Sequence, residues 1–420
     1  MIGDAAVQNA RGIQLRAAGN LHAAIAVFAQ ALERYPDVPE LALNLAQTQY
    51  DAGDNDRAIA AFERALAIDP ANVAAHMSLW ELLQIKGTMT AALAHQRAAL
   101  ASQRLFSAVA PHQARSILLL CAPGDWQTNI PVDFLFDRST TTAHKLYLVQ
   151  GESPPSTLPK YDVLWNTIAE SPAAMPYLQL AEAFMQRSAH PALNAPARVI
   201  ATARMQLGRT LERVDCTVAP ISEVTRAALA RGQDAFPYPI IVRPVGSHAG
   251  LGLERVEAAG DIAAYLERTA GEAFFISPFI DYRSPDGLFR KYRVVFVDGE
   301  PYPVHLAISP RWMIHYYNAA MAENAWMRDE EGSFLEDLRR AFDGDKYEAL
   351  QGIARAIGLE YFGIDCAIGP DGRVLVFEAD PAMLVHSSDP IELYPYKHRF
   401  IPNIYRAVER MIDRRKAADT

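Results

Sequence analysis

The sequence predicts a multidomain protein: an all-α repeat array, then an α/β lobe, then a larger α+β unit. Three observations carry this. Small and aromatic residues recur every 34 residues over the first quarter of the chain. Short apolar runs follow, separated by turns rich in proline and glycine. Near the C-terminus, Tyr361–Asp380 (YFGIDCAIGPDGRVLVFEAD) reads as two strands joined by the turn sequence Gly369-Pro370-Asp371-Gly372. At 420 residues the chain is too long for one core, so two or three domains are expected.

Composition narrows the function. Hydrophobic residues make up 50% and charged residues 21%, an ordinary globular balance. Residues 1–106 carry 8 basic and 10 acidic side chains, so −2 of the net −9 lies there and −7 in the remainder. Neither part has the basic footprint of a nucleic-acid or anionic-membrane binder. Cys121, Cys216 and Cys366 are too dispersed for a zinc pattern or a disulfide framework and are expected as small core residues. The N-terminus lacks a basic and apolar leader, and no run approaches the ~18 apolar residues of a membrane span. A cytoplasmic location is the expectation.

The repeat is periodic to the residue. Gly19, Gly53 and Gly87 are spaced by 34, as are Ala24, Ala58 and Ala92, and Ala31, Ala65 and Ala99. Phe28 recurs as Phe62, Pro36 as Pro70 and Leu45 as Leu79. Alanines let paired helices approach, the glycine ends the first helix and the proline ends the second. This period is that of tetratricopeptide repeats, three of them at roughly 5–38, 39–72 and 73–106 within a module of residues 1–106. The third departs from the pattern, with Gln96 where Phe28 and Phe62 stand, which predicts that the next domain covers its outer face. Such an arc holds a peptide or protein partner, or assembles the chain as a homodimer.

Pro111 ends the helical section, and residues 113–197 read as an α/β lobe. Ser116–Cys121 is a continuous apolar run, expected as a buried strand. Leu146–Val149 and Asp162–Trp165 are further strands and Pro176–Arg187 a helix. Loops at Gly124-Asp125-Trp126 and Asn166-Thr167 then fall at the carboxyl edge of the sheet, where ligands bind in such folds, so Asn166 is a candidate substrate contact.

From residue 198 the chemistry becomes denser. The strand Tyr238–Arg243 runs into PVGSHAGLG, a loop whose backbone N–H groups can wrap phosphates, with Arg243 in reach of the same anion. It is not a Walker A motif. In Phe274–Asp281 an apolar strand is interrupted by Ser277-Pro278, which predicts backbone groups released from the ladder to read an adenine edge. Lys291–Val297 and Val304–Ser309 are strands about the turn Asp298-Gly299. Ser333–Phe342 and Tyr347–Ile357 are expected as amphipathic helices, Met383–Ser388 as a loop lining the substrate pocket and Asn403–Arg414 as the final helix. Tyr316, Tyr317 and Trp326 are expected to pack.

In the hairpin, a four-residue turn would set Ile368 opposite Arg373 and Asp365 opposite Val376. The two-residue period then places Asp365, Glu378 and Asp380 on one face. Three carboxylates there repel one another. A hard cation relieves this, and Mg²⁺ favours a few carboxylates together with phosphate oxygens.

A basic strand end, a Gly-Ser loop, a Phe-Ile hinge strand and Asp-x12-Glu-x-Asp, in this order, resemble the ATP-grasp superfamily. Its carboxylate–amine ligases, such as D-alanine–D-alanine ligase, glutathione synthetase and the RimK-like enzymes, are the nearest in character. The resemblance spans roughly 113–412, with 198–412 as the nucleotide-binding and catalytic domain. It implies ATP between two α+β lobes and Mg²⁺ on Asp365 and Glu378, with Asp380 where the family has Asn. It implies phosphate contacts from Arg243, Arg204, Lys291 and the loop of Gly246, Ser247, Gly250 and Gly252. Arg243 and Arg204 stand where lysines are usual, which exchanges a point charge for a fork. Ser277, Pro278, Phe279 and Ile280 match the adenine hinge, with Asp281 as a ribose partner. His305, Arg311 and Arg293 are the candidates to hold the transferring phosphoryl group. The implied reaction is amide formation through an acyl phosphate, from a carboxylate and an amine substrate. A kinase of the same fold, or a nucleotide-sensing repeat scaffold without catalysis, are the alternatives.

Overall fold

A computed structural model describes residues 2–232, 235–247, 250–314 and 319–417. The repeats form six helices: α1 (Ile2–Ala17), α2 (Leu21–Arg34), α3 (Pro39–Asp51), α4 (Asn55–Ile68), α5 (Val73–Ile85) and α6 (Met89–Ser102). Gly19, Gly53 and Gly87 take φ of 78°, 79° and 77°. A side chain would oppose that left-handed backbone, so glycine stands wherever the first helix of a pair turns back. Ala24, Ala58 and Ala92 are fully buried at the crossings, and Phe28 and Phe62 fill the remaining space. Gln96, buried in the third repeat, accepts a hydrogen bond from the Gly124 amide at 2.8 Å. Trp80 Nε1 donates to the Gly124 carbonyl at 2.9 Å, and Gln84 accepts from the Trp126 amide at 3.0 Å. The third repeat is thus covered by a loop of the next unit, as its departure from the pattern predicts.

That unit is a five-stranded sheet of β1 (Leu105–Ala108), β2 (Arg115–Cys121), β3 (Thr141–Tyr147), β4 (Val163–Asn166) and β5 (Ala192–Leu193), in the order β1-β3-β2-β4-β5. All neighbours are parallel except β1, which lies antiparallel to β3. Leu105 and Phe106 therefore belong to this sheet rather than to the third repeat. β3 starts earlier than the expected Leu146, because buried threonines carry its first half. Thr142, for example, accepts from the Ala110 amide at 3.0 Å. Asn166 is a correction. It is fully buried, donates to the Asn194 carbonyl at 3.0 Å and accepts from the Ile168 amide at 3.2 Å, so its amide is used up in the scaffold.

β6 (Cys216–Val218) crosses to a later sheet. β7 (Ser222–Thr225), β8 (Ile240–Pro244), β9 (Glu254–Val256) and β10 (Ala273–Pro278) form an antiparallel sheet in the order β7-β10-β8-β9. β11 (Phe289–Val297), β12 (Glu300–Ser309), β13 (Tyr361–Ile368) and β14 (Val374–Asp380) form the third sheet, β12-β11-β13-β14-β6, closed by β6 parallel to β14. One continuous apolar core joins this sheet to the first. Trp165 of β4 meets Tyr361 of β13 edge-on with centroids 5.8 Å apart, and Asn194 hydrogen-bonds both Tyr361 backbone groups at 2.8 and 3.0 Å.

Two expectations change here. The helix expected at Ser333–Phe342 runs from Ala325 to Glu336 and is followed by a 3₁₀ turn, Leu338–Arg340. Asp337 restarts the chain by accepting from the Arg339 amide at 3.0 Å. Trp326, expected to pack, sits in the first turn of that helix and is 46% exposed. Tyr316 and Tyr317 lie outside the described residues. No helix among those described is long and apolar enough to cross a membrane.

Candidate active site

The site is built on one transverse row of the third sheet. His305 on β12 pairs with Arg293 on β11, Arg293 with Asp365 on β13, and Asp365 with Glu378 on β14. Directly opposed residues share a face, so four polar side chains stand side by side across four strands. The hairpin register behind this differs from the expected one. The turn is one residue longer, with the Gly369 amide bonded to the Arg373 carbonyl, so Ile368 faces Val374 and not Arg373. In that register Asp365 would face Phe377. A bulge between Asp365 and Cys366 shifts it opposite Glu378 instead. A second bulge, between Arg293 and Val294, flanks the same row on the other side. The shared face of Asp365, Glu378 and Asp380 therefore survives, produced by a bulge rather than by simple alternation. Bulges commonly re-aim side chains in this way beside functional sites.

The row is largely neutralised from within. Arg293 forks onto Asp365 at 2.8 and 3.0 Å, and Lys291 reaches the same carboxylate at 2.7 Å. Arg204 pairs with Glu378. Burial would raise the Asp365 carboxyl, but Arg293 and Lys291 outweigh it and hold it well below the ordinary range. Glu378 is likewise lowered, because Arg204 overrides the effect of burial. Asp380 is different. It accepts from the Ala382 amide at 2.7 Å, and burial with the nearby Glu378 pushes its carboxyl up to about 6. His305 is pushed well below its usual value, first by burial and then by Arg293, both of which disfavour the charged ring.

Opposite stands the glycine loop. Arg243, at the end of β8, bonds Ser247 through its hydroxyl, at 3.3 Å, and its carbonyl. Among the described residues it makes no ion pair. Burial and the neighbouring Arg204 push its guanidinium down to about 10, so it remains charged at neutral pH. Gly246, Gly250 and Gly252 carry the loop through φ of 75°, 75° and 67°. Gly250 lines the cavity directly, while Gly246, Ser247 and Gly252 shape the loop behind it.

Between these walls lies a cavity of 1730 Å³. Its lining includes Arg204, Arg243, Lys291, Arg293, His305, Asp365, Glu378 and Asp380, together with the hinge residues Ser277, Pro278, Phe279 and Ile280. The hinge is less open than expected, since Pro278 still pairs with Ile240 and the Phe279 amide donates to the Pro239 carbonyl at 3.0 Å. Besides Gly246, Ser247 and Gly252, two more predicted residues fall outside the lining. Asp281 is paired with Arg283 at the surface. Arg311 is exposed, its amide bonded to Ser309 Oγ at 3.0 Å, and its neighbours Trp312 and Met313 take the cavity position.

Residues 9–73 and 43–105 match the tetratricopeptide repeat family model. The helical array is a tetratricopeptide array. No curated protein sequence matches the chain. Three similar solved structures are a D-Ala:D-Ser ligase, VanG, from Enterococcus faecalis, a RimK-domain ATP-grasp protein from Sphaerobacter thermophilus, and a D-alanine–D-alanine ligase from Bacillus anthracis complexed with ATP. The VanG ligase is 12% identical, covering 72% of this chain and 99% of its own, with a TM-score of 0.45. The RimK-domain protein is 15% identical, covering 71% and 99%, with a TM-score of 0.42. The third is 10% identical, covering 73% and 100%, with a TM-score of 0.44.

The tetratricopeptide array is itself part of the cavity wall: Val73, Ala74, Met77 and Ser78 of α5 line it. Sequence reasoning also missed Glu170 and Lys397. Glu170 lies four residues beyond Asn166, in the loop after β4, and burial with Asp380 raises its carboxyl. Of the loop expected at the sheet edge, Asn166-Thr167, the threonine lines the cavity with Glu170, and Asn166 does not. Lys397 is 2% exposed, with Asp389 at 3.1 Å and Glu331 at 3.4 Å. Nothing in the sequence distinguishes it from a surface lysine.

The carboxylates fit a cation only in part. Both Asp365 oxygens accept from protonated side chains, Arg293 and Lys291, which take up most of its acceptor capacity although the residue lines the cavity. Glu378 and Asp380 remain as oxygen donors beside the unneutralised Arg243, a pair that suits Mg²⁺ completed by phosphate oxygens.

Proposed function

We propose that the chain is an ATP-dependent carboxylate–amine ligase of the ATP-grasp type. We assign residues 1–106 to the repeats, 113–197 to the first lobe and 198–412 to the catalytic unit. The observation that carries the reading is the asymmetry of charge across the cavity. Arg243 is half-buried beside a glycine loop and makes no ion pair among the described residues, whereas the carboxylates of β13 and β14 are paired with Arg204, Arg293 and Lys291. A half-buried cation without an ion-pair partner is costly to desolvate, and a polyphosphate is the anion that matches a fork at a glycine loop.

In this reading Arg243 and the loop hold the phosphates, and Arg204 exchanges its Glu378 contact for them. Ile241, Leu253 and Phe275 line the apolar floor with the hinge and receive the base. Mg²⁺, when bound, neutralises charge on the transferring phosphoryl group, and Glu378 and Asp380 would hold it. Arg293 and Lys291 fix Asp365 and keep the row in register; they hold position rather than turn over. A substrate carboxylate attacks the γ-phosphate and releases ADP, and an amine then displaces phosphate to form the amide. The surroundings of the row serve that second step by being largely buried, which limits hydrolysis of the acyl phosphate.

The test is isotopic. ADP release is screened against carboxylate and amine pairs, and the active acid is then labelled with heavy oxygen. Transfer of one labelled oxygen to inorganic phosphate is expected. A stable phosphorylated product without free phosphate would establish a kinase instead. Glu378→Ala is expected to abolish turnover with the fold intact by circular dichroism, and wild-type turnover in that variant would remove the row from the chemistry.

A further inference from the structure

We propose that α5 of the third repeat and the loops after β2 form a specificity subsite of the cavity for a bulky apolar side chain, and that the substrate is accordingly a peptide. The class of reaction rests on the ligase reading; the subsite rests on the observations that follow.

The cavity holds 1730 Å³, whereas small-molecule sites usually occupy about 300–1,000 Å³. A nucleotide at the glycine loop leaves a large remainder. That remainder extends to α5, where Ala74 and Met77 present apolar surface, and to the loops carrying Trp126 and Phe134. Trp126 is 48% and Phe134 51% exposed. Two large aromatic rings left wet in one cavity are unfavourable in proportion to their area and mark a place where apolar matter binds.

The wall is also fixed in place. The hydrogen bonds from Trp80, Gln84 and Gln96 tie the repeat to residues 124 and 126. Gln84 and Gln96 are 8% and 1% exposed. Burying two amides, one of them in the slot that phenylalanine fills in the earlier repeats, costs packing energy within the array. It is offset by a rigid, preorganised subsite. Asp133 and Lys145, which line this part of the cavity, pair with each other, and the other charged residues of its lining, Glu81, Asp125 and Arg138, are of both signs. Ser78 and Gln127 line it too and offer hydrogen bonds to the backbone of a peptide, which a plain hydrocarbon chain would leave unused.

The experiment uses the full chain and two unlabelled tetrapeptides, Ala-Phe-Phe-Ala and Ala-Ala-Ala-Ala, titrated calorimetrically with and without the non-hydrolysable analogue AMP-PNP and Mg²⁺. The phenylalanine peptide is expected to bind about 10-fold more tightly or better, as burial of one aromatic side chain implies. Met77→Glu and the exposed-site variant Ala74→Glu should each abolish that preference while leaving the affinity for AMP-PNP within about 2-fold. Equal binding of the two peptides, or a preference that survives both variants, overturns the subsite. Absence of AMP-PNP binding in the wild-type chain overturns the nucleotide reading instead, and the peptide comparison then stands on the titrations without it.

Discussion

The two walls of the cavity solve opposite electrostatic problems. On the sheet of β11–β14, every strongly ionised carboxylate has a cation beside it: Asp365 has Arg293 and Lys291, and Glu378 has Arg204. On the sheet of β7–β10, Arg243 is half-buried and makes no ion pair among the described residues; Arg204 repels it, and Glu378 attracts it without forming a salt bridge. The first wall is largely paired as folded. The second wall is completed by what binds. A charge serving structure and a charge serving a ligand thus differ in whether the fold has already answered them, although both are arginines on β-strands facing one cavity.

Removing a cation from each wall separates the two roles most sharply. Arg293→Ala leaves a carboxylate that is 1% exposed with only Lys291 to balance it. It is expected to destabilise the protein by about 3 kcal/mol, the lower part of the range for breaking a buried pair, read from the midpoint of urea unfolding. Arg243→Ala should leave that midpoint unchanged or raise it. If Arg243→Ala proved the more destabilising of the two, the contrast between the walls would be wrong.

Ligand binding should reverse the order. Losing one charge-assisted phosphate contact costs roughly 1.5–3 kcal/mol, so Arg243→Ala is expected to weaken AMP-PNP binding at least 10-fold by calorimetry. Arg243→Lys, which keeps the charge as a point rather than a fork, should retain measurable binding. Unchanged affinity in the alanine variant would make Arg243 a structural residue.

The smallest effect concerns Asp380, the one carboxylate of the row without a cation. Its carboxyl in the folded protein, pushed up to about 6, lies above the ordinary value near 4 for an unfolded chain. The folded state therefore binds the proton more tightly, and the stability this contributes is present below pH 4 and lost as pH rises through 6. Asp380→Asn mimics the protonated form. It should raise the melting temperature of the ligand-free protein at pH 7.5, by an amount corresponding to about 1–2 kcal/mol, and by about half as much at pH 5. A stabilisation of equal size at both pH values would show that the carboxyl is not shifted.

Local pattern by itself determined the repeats and brought the three carboxylates onto one hairpin. The 34-residue period of Gly19, Gly53 and Gly87 needs no partner beyond the neighbouring helix, because left-handed turns and helix crossings act over one repeat. Asp365, Glu378 and Asp380 lie within sixteen residues of one another, close enough to share one hairpin, although the common face needs the bulge at Asp365 as well as strand periodicity. Tertiary structure alone decided what that face meets. Arg293 reaches Asp365 across 72 positions of sequence, and Arg204 reaches Glu378 across 174. Whether three carboxylates repel or are already paired depends on those long-range registers, and a single bulge decides which residue stands opposite Asp365. The same holds for Asn166, Asp281 and Arg311, whose residue types suit a site but whose hydrogen bonds or exposure take them elsewhere. It holds also for α5, which periodicity identifies as a repeat helix and which only the docking of Gln84, Gln96 and Trp80 onto residues 124 and 126 makes a wall of the cavity. Periodicity is written in neighbours, whereas charge balance and cavity walls arise where distant segments meet.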